Sequence, residues 1–89
     1  MRQRIERNEM TKRYVIFTFP PELIKEPIIY NFGQQFNVIT NIRRADISED
    51  KGWIVLELEG EENNIEQGIA WVTSKGVRVD PVTEDTMEG

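Results

Sequence analysis

The order of strand and helix patterns between Phe36 and Val82 limits the folds open to this chain more than any other feature. In order, its segments are FNVITNIRRADI, SEDKG, WIVLELEG, EENNIEQGIAWVTSKG and VRVDPV. The first and third are rich in β-branched and aromatic residues, and the short turn between them predicts an antiparallel hairpin. The fourth has a helical pattern and the fifth is a short strand, so the region is predicted to be strand, turn, strand, helix and strand.

Two kinds of signal support the second helix. Ile65 and Ile69 lie one helical turn apart, as expected for residues on one apolar side. Asn63, with Glu66 three residues later, resembles a capping box in which Asn replaces Ser or Thr, and Gly76 suits a left-handed C-terminal cap. We therefore expect a helix that ends at Gly76.

A strand and a helix are also predicted before this region. RYVIFTF alternates β-branched and aromatic residues and ends at Pro20-Pro21, where a sheet ladder cannot continue. Pro27 suits the first turn of a helix in which Ile29, Phe32 and Phe36 share one side. The predicted strands are 13–19, 38–45, 53–59 and 77–81, and the predicted helices are 27–35 and about 61–76. This β-α-β-β-α-β order predicts an α+β, ferredoxin-like sandwich: a four-stranded antiparallel sheet with two helices on one face.

Length and composition bound the domain organisation and the chemistry. The 89 residues support one domain, which we place at 13–82, between a basic disordered arm (1–12) and an acidic disordered tail (83–89). Because the chain has no cysteine and no histidine, we expect no disulfide, no cofactor, no metal site and no enzymatic activity. A net charge of -5 argues against nucleic acid as a partner, and the polar start and lack of a long apolar run predict a small acidic cytoplasmic protein without membrane insertion.

Strand alternation separates a core face from the sheet face turned away from both helices, here called the open face. The residues predicted to point inward are Val15, Phe17, Phe19, Val38, Thr40, Ile42, Ile54, Leu56 and Leu58. The residues predicted on the open face are Tyr14, Ile16, Thr18, Ile39, Asn41, Arg43, Trp53, Val55, Glu57 and Glu59. Since Tyr14, Ile16 and Trp53 add much apolar surface, we expect this face, or the edge of the second strand beside it, to meet a second subunit. The alternative is that a terminal arm or a twisted hairpin covers it.

The segment that contains Asn41-Ile42, together with Gly52, Glu57-Leu58-Glu59-Gly60 and Ile69-Ala70-Trp71, resembles the NIL domain, a regulatory domain at the end of bacterial methionine-importer ATPase subunits. The resemblance covers 13–82. It implies that such domains pair, bind methionine near their interface and hold the ATPase in a less active arrangement. The family's signature is Asn-Ile-Leu, and the third position here is Arg43. We expect a stand-alone domain without a Walker loop, so any output would act on a partner in trans.

An amino-acid ligand needs a partner for its carboxylate, one for its ammonium group and an apolar wall. The predicted ligand-binding residues are Ile39, Asn41, Ile42, Arg43, Val55 and Glu57. Arg43 offers a planar fork for a carboxylate, Glu57 could accept an ammonium group, and Asn41 offers both a donor and an acceptor. Two other interpretations stay open: Asn41 bonds to neighbouring backbone, and Arg43 with Glu57 forms an ordinary cross-strand ion pair.

Two functions from different classes follow. The first is a non-enzymatic regulatory domain that forms a homodimer or higher oligomer and binds an amino-acid-like effector, with methionine as the first candidate. The second is a structural or adaptor protein whose open face docks on a transporter or other partner protein and binds no small molecule. RNA binding through sheet aromatics is disfavoured, because WIVLELEG carries glutamates where such modules carry basic residues.

Overall fold

The strands form one antiparallel sheet in the order β2-β3-β1-β4, as the computed structural model of residues 10–82 shows. The elements are β1 (Met10–Phe19), a 3₁₀ turn (Pro21–Leu23), α1 (Ile28–Phe36), β2 (Ile39–Ile47), β3 (Gly52–Glu61), α2 (Glu62–Lys75) and β4 (Arg78–Pro81). Both helices pack against the buried side chains of one sheet face. The predicted ferredoxin-like β-α-β-β-α-β fold is confirmed.

The start of β1 corrects one predicted boundary. The strand begins at Met10, and residues 10–12 pair with Glu61, Gly60 and Glu59 of β3, so they belong to the sheet instead of the predicted arm. A strand inside a sheet forms backbone hydrogen bonds wherever a neighbouring strand runs beside it. The polarity of its residues therefore does not show where such a strand begins. The predictions for residues 1–9 and 83–89 lie outside the described part of the chain.

The helix ends differ from prediction in one respect. Pro27 is the N-cap of α1, just before the first helical residue. For α2 the N-cap is Glu61, and no side chain caps it, so the predicted capping box at Asn63 is wrong. The reason is that β3 runs directly into the helix, which is already formed at Asn63. Gly76 is the predicted left-handed cap, with φ 109°.

Replacing Gly76 by alanine should lower stability, because a Cβ is disfavoured at positive φ. We expect a loss of about 1 kcal/mol, which lowers the melting midpoint of a domain of this size by about 4–8 °C. Thermal unfolding followed by circular dichroism measures it. Gly76→Asn is the control and should lose less, since Asn tolerates this conformation; an unchanged midpoint for Gly76→Ala would contradict the expectation.

The core lies between the two helices and the sheet face predicted to be buried. The fully buried large side chains are Phe17, Phe32, Leu56, Leu58, Ile65, Val72 and Val77. Phe32 of α1 is central, with its ring centroid 5.9 Å from that of Phe17 and 6.1 Å from that of Phe36. In α1 the buried positions are Ile28 and Phe32, while Ile29 is only partly buried. Burial of each such side chain contributes about 1.5–3 kcal/mol.

Ile42 of β2 is the exception to the predicted core. Ile42 lies opposite Leu56 and so is on the helix side, yet it is 60% exposed, and Ile47 is 54% exposed. β2 is an edge strand, and its side chains are exposed along most of its length. Ile42 is therefore not a core residue. Within residues 10–82, no helix is long and apolar enough to cross a membrane.

Candidate functional site

The open face is a grid of side chains set by strand register, because residues paired across antiparallel strands share a face. From β2 to β4, the rows are Ile39, Glu59 and Lys12; then Asn41, Glu57 and Tyr14; then Arg44, Val55, Ile16 and Asp80; then Asp46, Trp53, Thr18 and Arg78. The third and fourth rows reach β4, while the first two stop at β1. The face thus has an apolar centre and charged edges.

A β-bulge in β2 changes which side chains reach this face. The register shifts between Ile42 and Arg44, so Arg43 is the extra residue. Arg43 contacts Glu57, and Arg44 lines the same face beside Val55. Strict alternation placed Arg44 on the core face, and sequence reasoning therefore missed it. The apolar phase shifts after Ile42, with Ala45 and Ile47 on the helix side, which indicates an irregular strand but does not give the position of the extra residue.

The carboxylate of Glu57 is held by two cations. The residue is only 7% exposed. Arg43 Nη1 donates to Glu57 Oε1 at 3.3 Å, and Lys12 Nζ lies 3.4 Å from Oε2. The cross-strand ion pair is therefore present, and Lys12 joins it. Because each carboxylate oxygen already has a cationic partner, an incoming ammonium group would compete with these two cations for Glu57.

Asn41 lies beside this cluster with its side chain exposed. It is paired with Glu57 across the strands. Within residues 10–82, no hydrogen bond engages the Asn41 side chain, so the predicted alternative of a bond to neighbouring backbone is not seen. Its amide donor and carbonyl acceptor are both available.

The remaining predicted ligand residues divide between the two faces. Ile39 is on the open face and 56% exposed, while Val55 forms part of the apolar centre and is 5% exposed. Ile42 points to the opposite side of the sheet, so the structure separates it from the other predicted residues. The sheet thus brings together Ile39, Asn41, Arg43, Val55 and Glu57.

Two of the three predicted interface residues, Ile16 and Trp53, line a shallow basin of about 390 Å³. Its lining residues are Ile16, Thr18, Arg44, Trp53, Val55 and Asp80. Tyr14, Ile16 and Trp53 are each half-buried. Asp80 is 2.9 Å from Arg78 Nε on the same strand. Arg44 and Asp80 were not predicted, and they place one cation and one anion at opposite edges of the apolar centre.

A second, helix-side cavity of about 150 Å³ lies between the start of α1 and the β2–β3 hairpin. Its lining residues are Phe19, Ile24, Glu26, Pro27, Ile28, Ile29, Tyr30, Ile47, Gly52 and Ile54. These described residues include one carboxylate, Glu26, and no cationic side chain. The sheet separates this cavity from Asn41 and Arg43. For a ligand with a carboxylate, the open face offers the better chemistry.

Comparisons with known proteins agree with the sequence resemblance. The sequence profile of the NIL domain matches residues 13–81. The methionine import ATP-binding protein MetN of Bacillus subtilis (strain 168) is 28% identical over 75 residues, which cover 80% of this chain. The crystal structure of the C-terminal domain of an ABC transporter ATP-binding protein from Enterococcus faecalis has a TM-score of 0.72 and 26% identity, covering 81% of this chain and 84% of that domain.

The extents of these matches differ. The chain spans 22% of the length of the Bacillus subtilis protein, so that protein and this chain share one part only. The Enterococcus faecalis structure is itself a C-terminal domain of similar extent. The shared part is the ferredoxin-like unit described above.

Proposed function

The chain belongs to the NIL domain family, and from that premise we propose that it is a non-enzymatic regulatory domain that binds a small amino-acid-like effector as a homo-oligomer. The effector site is the part of the open face around Asn41 and Arg43. One relative is a methionine import ATP-binding protein and the other is a C-terminal domain of an ABC transporter ATP-binding protein, which supports a regulatory role, a transporter or similar partner protein, and a cytoplasmic location.

The observation that carries the site is the Asn41 amide, which has no hydrogen-bond partner among residues 10–82, beside a half-exposed guanidinium. The Arg43 side chain is 50% exposed and, within the described residues, donates one hydrogen bond, to Glu57, so other N–H donors remain for a ligand carboxylate. The hydrogen bond that Arg43 donates to Glu57 holds the Arg43 side chain in place. Ile39, at 56% exposure, offers an apolar contact on the same edge. A guanidinium for the ligand carboxylate, an amide and an apolar wall are thus available along the same strand, β2.

Methionine is the first ligand to test, because the Bacillus subtilis relative is a methionine import protein. Arg43 occupies the signature position where the family pattern has leucine, and it adds a fixed positive charge there. Acidic amino acids should therefore be compared with methionine directly. The ratio of the affinities for acidic amino acids and for methionine shows whether the charge of Arg43 changes the ligand preference.

The test is isothermal titration of L-methionine, L-glutamate and then other amino acids into the purified protein, followed by thermal melting at fixed protein concentration. A ligand that binds only the folded state at 100 times its Kd should add about 2.7 kcal/mol of stability. That corresponds to a rise of about 10 °C or more in the midpoint. Asn41→Ala should remove this rise and leave the ligand-free midpoint nearly unchanged, since the side chain is exposed.

Asn31→Ala is the matched control, because Asn31 is an exposed residue of α1 on the other side of the sheet. It should keep the full ligand response. Absence of heat and of any midpoint change with every amino acid would contradict the effector site. That outcome would favour the second function, an adaptor that docks a partner protein on the open face, whose half-buried Tyr14, Ile16 and Trp53 supply apolar surface.

A further inference from the structure

The helix-side cavity differs from the open face in shape and in chemistry. We propose that it is a second binding site, which takes one small uncharged apolar molecule: an aromatic ring or a branched chain of about six carbon atoms. The sheet separates it from Asn41 and Arg43, so the inference does not rest on the amino-acid site of the proposed function.

The volume of the cavity sets the size of its ligand. The cavity measures about 150 Å³. An apolar cavity of about 150 Å³ holds one benzene molecule. Drug-sized ligands occupy pockets of about 300–1,000 Å³, so a much larger molecule would not fit between these walls.

The walls of the cavity are mostly apolar. Three of the lining residues, Phe19, Ile28 and Ile54, belong to the buried core. Ile47 lines another side and is paired with Gly52, where a Cβ would lie only 3.3 Å from Ile47 Cγ1. Water needs several polar partners to occupy a cavity, and these walls offer few. A ring or a branched chain of the right size instead gains van der Waals contacts with each of them.

Backbone hydrogen bonds fix the connection from β1 to α1, which forms one wall of the cavity. The Leu23 N–H donates to the Pro20 carbonyl at 3.0 Å, and the Glu26 N–H donates to the Leu23 carbonyl at 3.1 Å. The Ile28 N–H then donates to the Glu26 carbonyl at 2.8 Å. Because this wall is already formed, a ligand loses little affinity to ordering of the protein.

Glu26 makes the cavity unsuitable for an anion. It is the one charged residue among those that line the cavity, and its carboxylate has no ion-pair or hydrogen-bond partner among residues 10–82. An anionic ligand would be repelled by this charge. A cation would leave water for a site whose one carboxylate is itself exposed, which compensates poorly for lost hydration. An uncharged ligand meets neither cost.

The surroundings of the cavity favour a small molecule over a partner protein. The cavity adjoins a groove of about 540 Å³, lined by Pro21, Ile24, Lys25, Ile47, Ser48 and Glu49, two of which also line the cavity. Lys25, Glu26 and Glu49 are exposed, and no ion pair within residues 10–82 engages them. A protein that covered this region would remove all three charges from water, whereas interface cores are depleted of charge. A ligand inside the cavity leaves them hydrated.

Backbone amide NMR spectra of the full chain, titrated with benzene, test the site. The signals of Ile28, Gly52 and Ile54 should shift in a saturable way with one Kd of about 1 mM, while those of Asn41 and Arg43 should not move. Benzoate, which adds an anionic group to the same ring, should bind about tenfold more weakly or worse. Shifts that stay linear up to about 10 mM benzene, or equal binding of benzoate, would overturn the proposal.

Ile47→Trp tests the location of the bound benzene. Ile47 is 54% exposed, so the domain can accept the larger side chain, which should block the cavity and weaken binding about tenfold or more. Ile42→Trp is the matched control, because Ile42 is 60% exposed on the same side of β2 and does not line the cavity. It should keep full affinity. Unchanged binding in Ile47→Trp, or equal loss in both variants, would overturn the proposed location.

Glu26→Gln tests the discrimination against anions. This variant should bind benzene as wild type does and benzoate more tightly than wild type, so that the difference between the two probes narrows. Glu22→Gln, an exposed change in the 3₁₀ turn outside the cavity lining, should leave the difference as it is. An unchanged difference in Glu26→Gln would contradict the role of Glu26. Amino-acid titration remains a separate test: benzene binding without any amino-acid response would contradict the effector site alone, and the reverse result would overturn the cavity site alone.

Discussion

Replacing Phe32 by alanine should remove a large part of the stability of the domain. Phe32 is fully buried and packs between Phe17 and Phe36, so its loss leaves a cavity at the centre of the core. Truncation of a buried phenylalanine costs about 3–5 kcal/mol. A domain of this size has a total stability of roughly 4–13 kcal/mol, so this loss is a large fraction of it, and the variant should unfold at a clearly lower urea concentration than wild type.

Urea denaturation of Phe32→Ala and wild type measures this effect as a change in the transition midpoint. Tyr30→Ala is the matched control, since Tyr30 is an aromatic residue of the same helix that is 67% exposed. Its truncation should change the free energy of unfolding by about 0.5 kcal/mol or less. Equal losses for the two variants would show that helix propensity, and not core packing, determines the effect.

The fold was predictable because its strands have a clear apolar pattern on one face. Val15, Phe17 and Phe19 are buried at alternate positions, and the helix pattern before Gly76 places its cap correctly. Periodicity reports burial directly, because a strand or helix with one buried side must repeat apolar residues at its own period. The start of β1 at Met10 was not predictable in this way, since its polar residues are kept in the sheet by pairing with β3.

The candidate site was predictable only up to the bulge. Ile39, Asn41 and Glu57 are on the open face, as alternation predicts for the first half of β2 and for β3. Beyond Ile42 the inserted residue reverses the phase, and a single sequence does not fix the position of a bulge. Arg44 therefore joined the open face without having been predicted. Asp80, the anion at the opposite edge of the open face, lies on β4. The pairing register of β4 with β1 depends on the whole connection from α2 to β4, so it was not predictable from the strand pattern.

Replacing Gly68 by alanine should lower the stability of the domain, because Gly68 lies against the ring of Phe32. A Cβ added at Gly68 would overlap the Phe32 ring, with even the more distant Cζ atom only 3.1 Å away. Gly68 is buried within α2. Phe32 is fully buried, so its ring cannot move aside into solvent. On an open helix surface Gly→Ala would gain about 1 kcal/mol. Here overpacking should reverse the sign, and we expect Gly68→Ala to lose about 1–3 kcal/mol.

A double-mutant cycle with Phe32→Leu tests the cause of that loss. Leucine lacks the Cε1 and Cζ atoms that a Cβ at Gly68 would meet and can rotate its Cδ atoms, so in this background Gly68→Ala should cost much less or be neutral. The coupling free energy from urea denaturation should then be about 1–3 kcal/mol. Gln67→Ala, an exposed change in the same turn of α2, should show no coupling to Phe32→Leu. If Gly68→Ala costs the same in both backgrounds, its effect arises in the helix backbone, and the close approach of α1 and α2 at Phe32 is not what requires glycine.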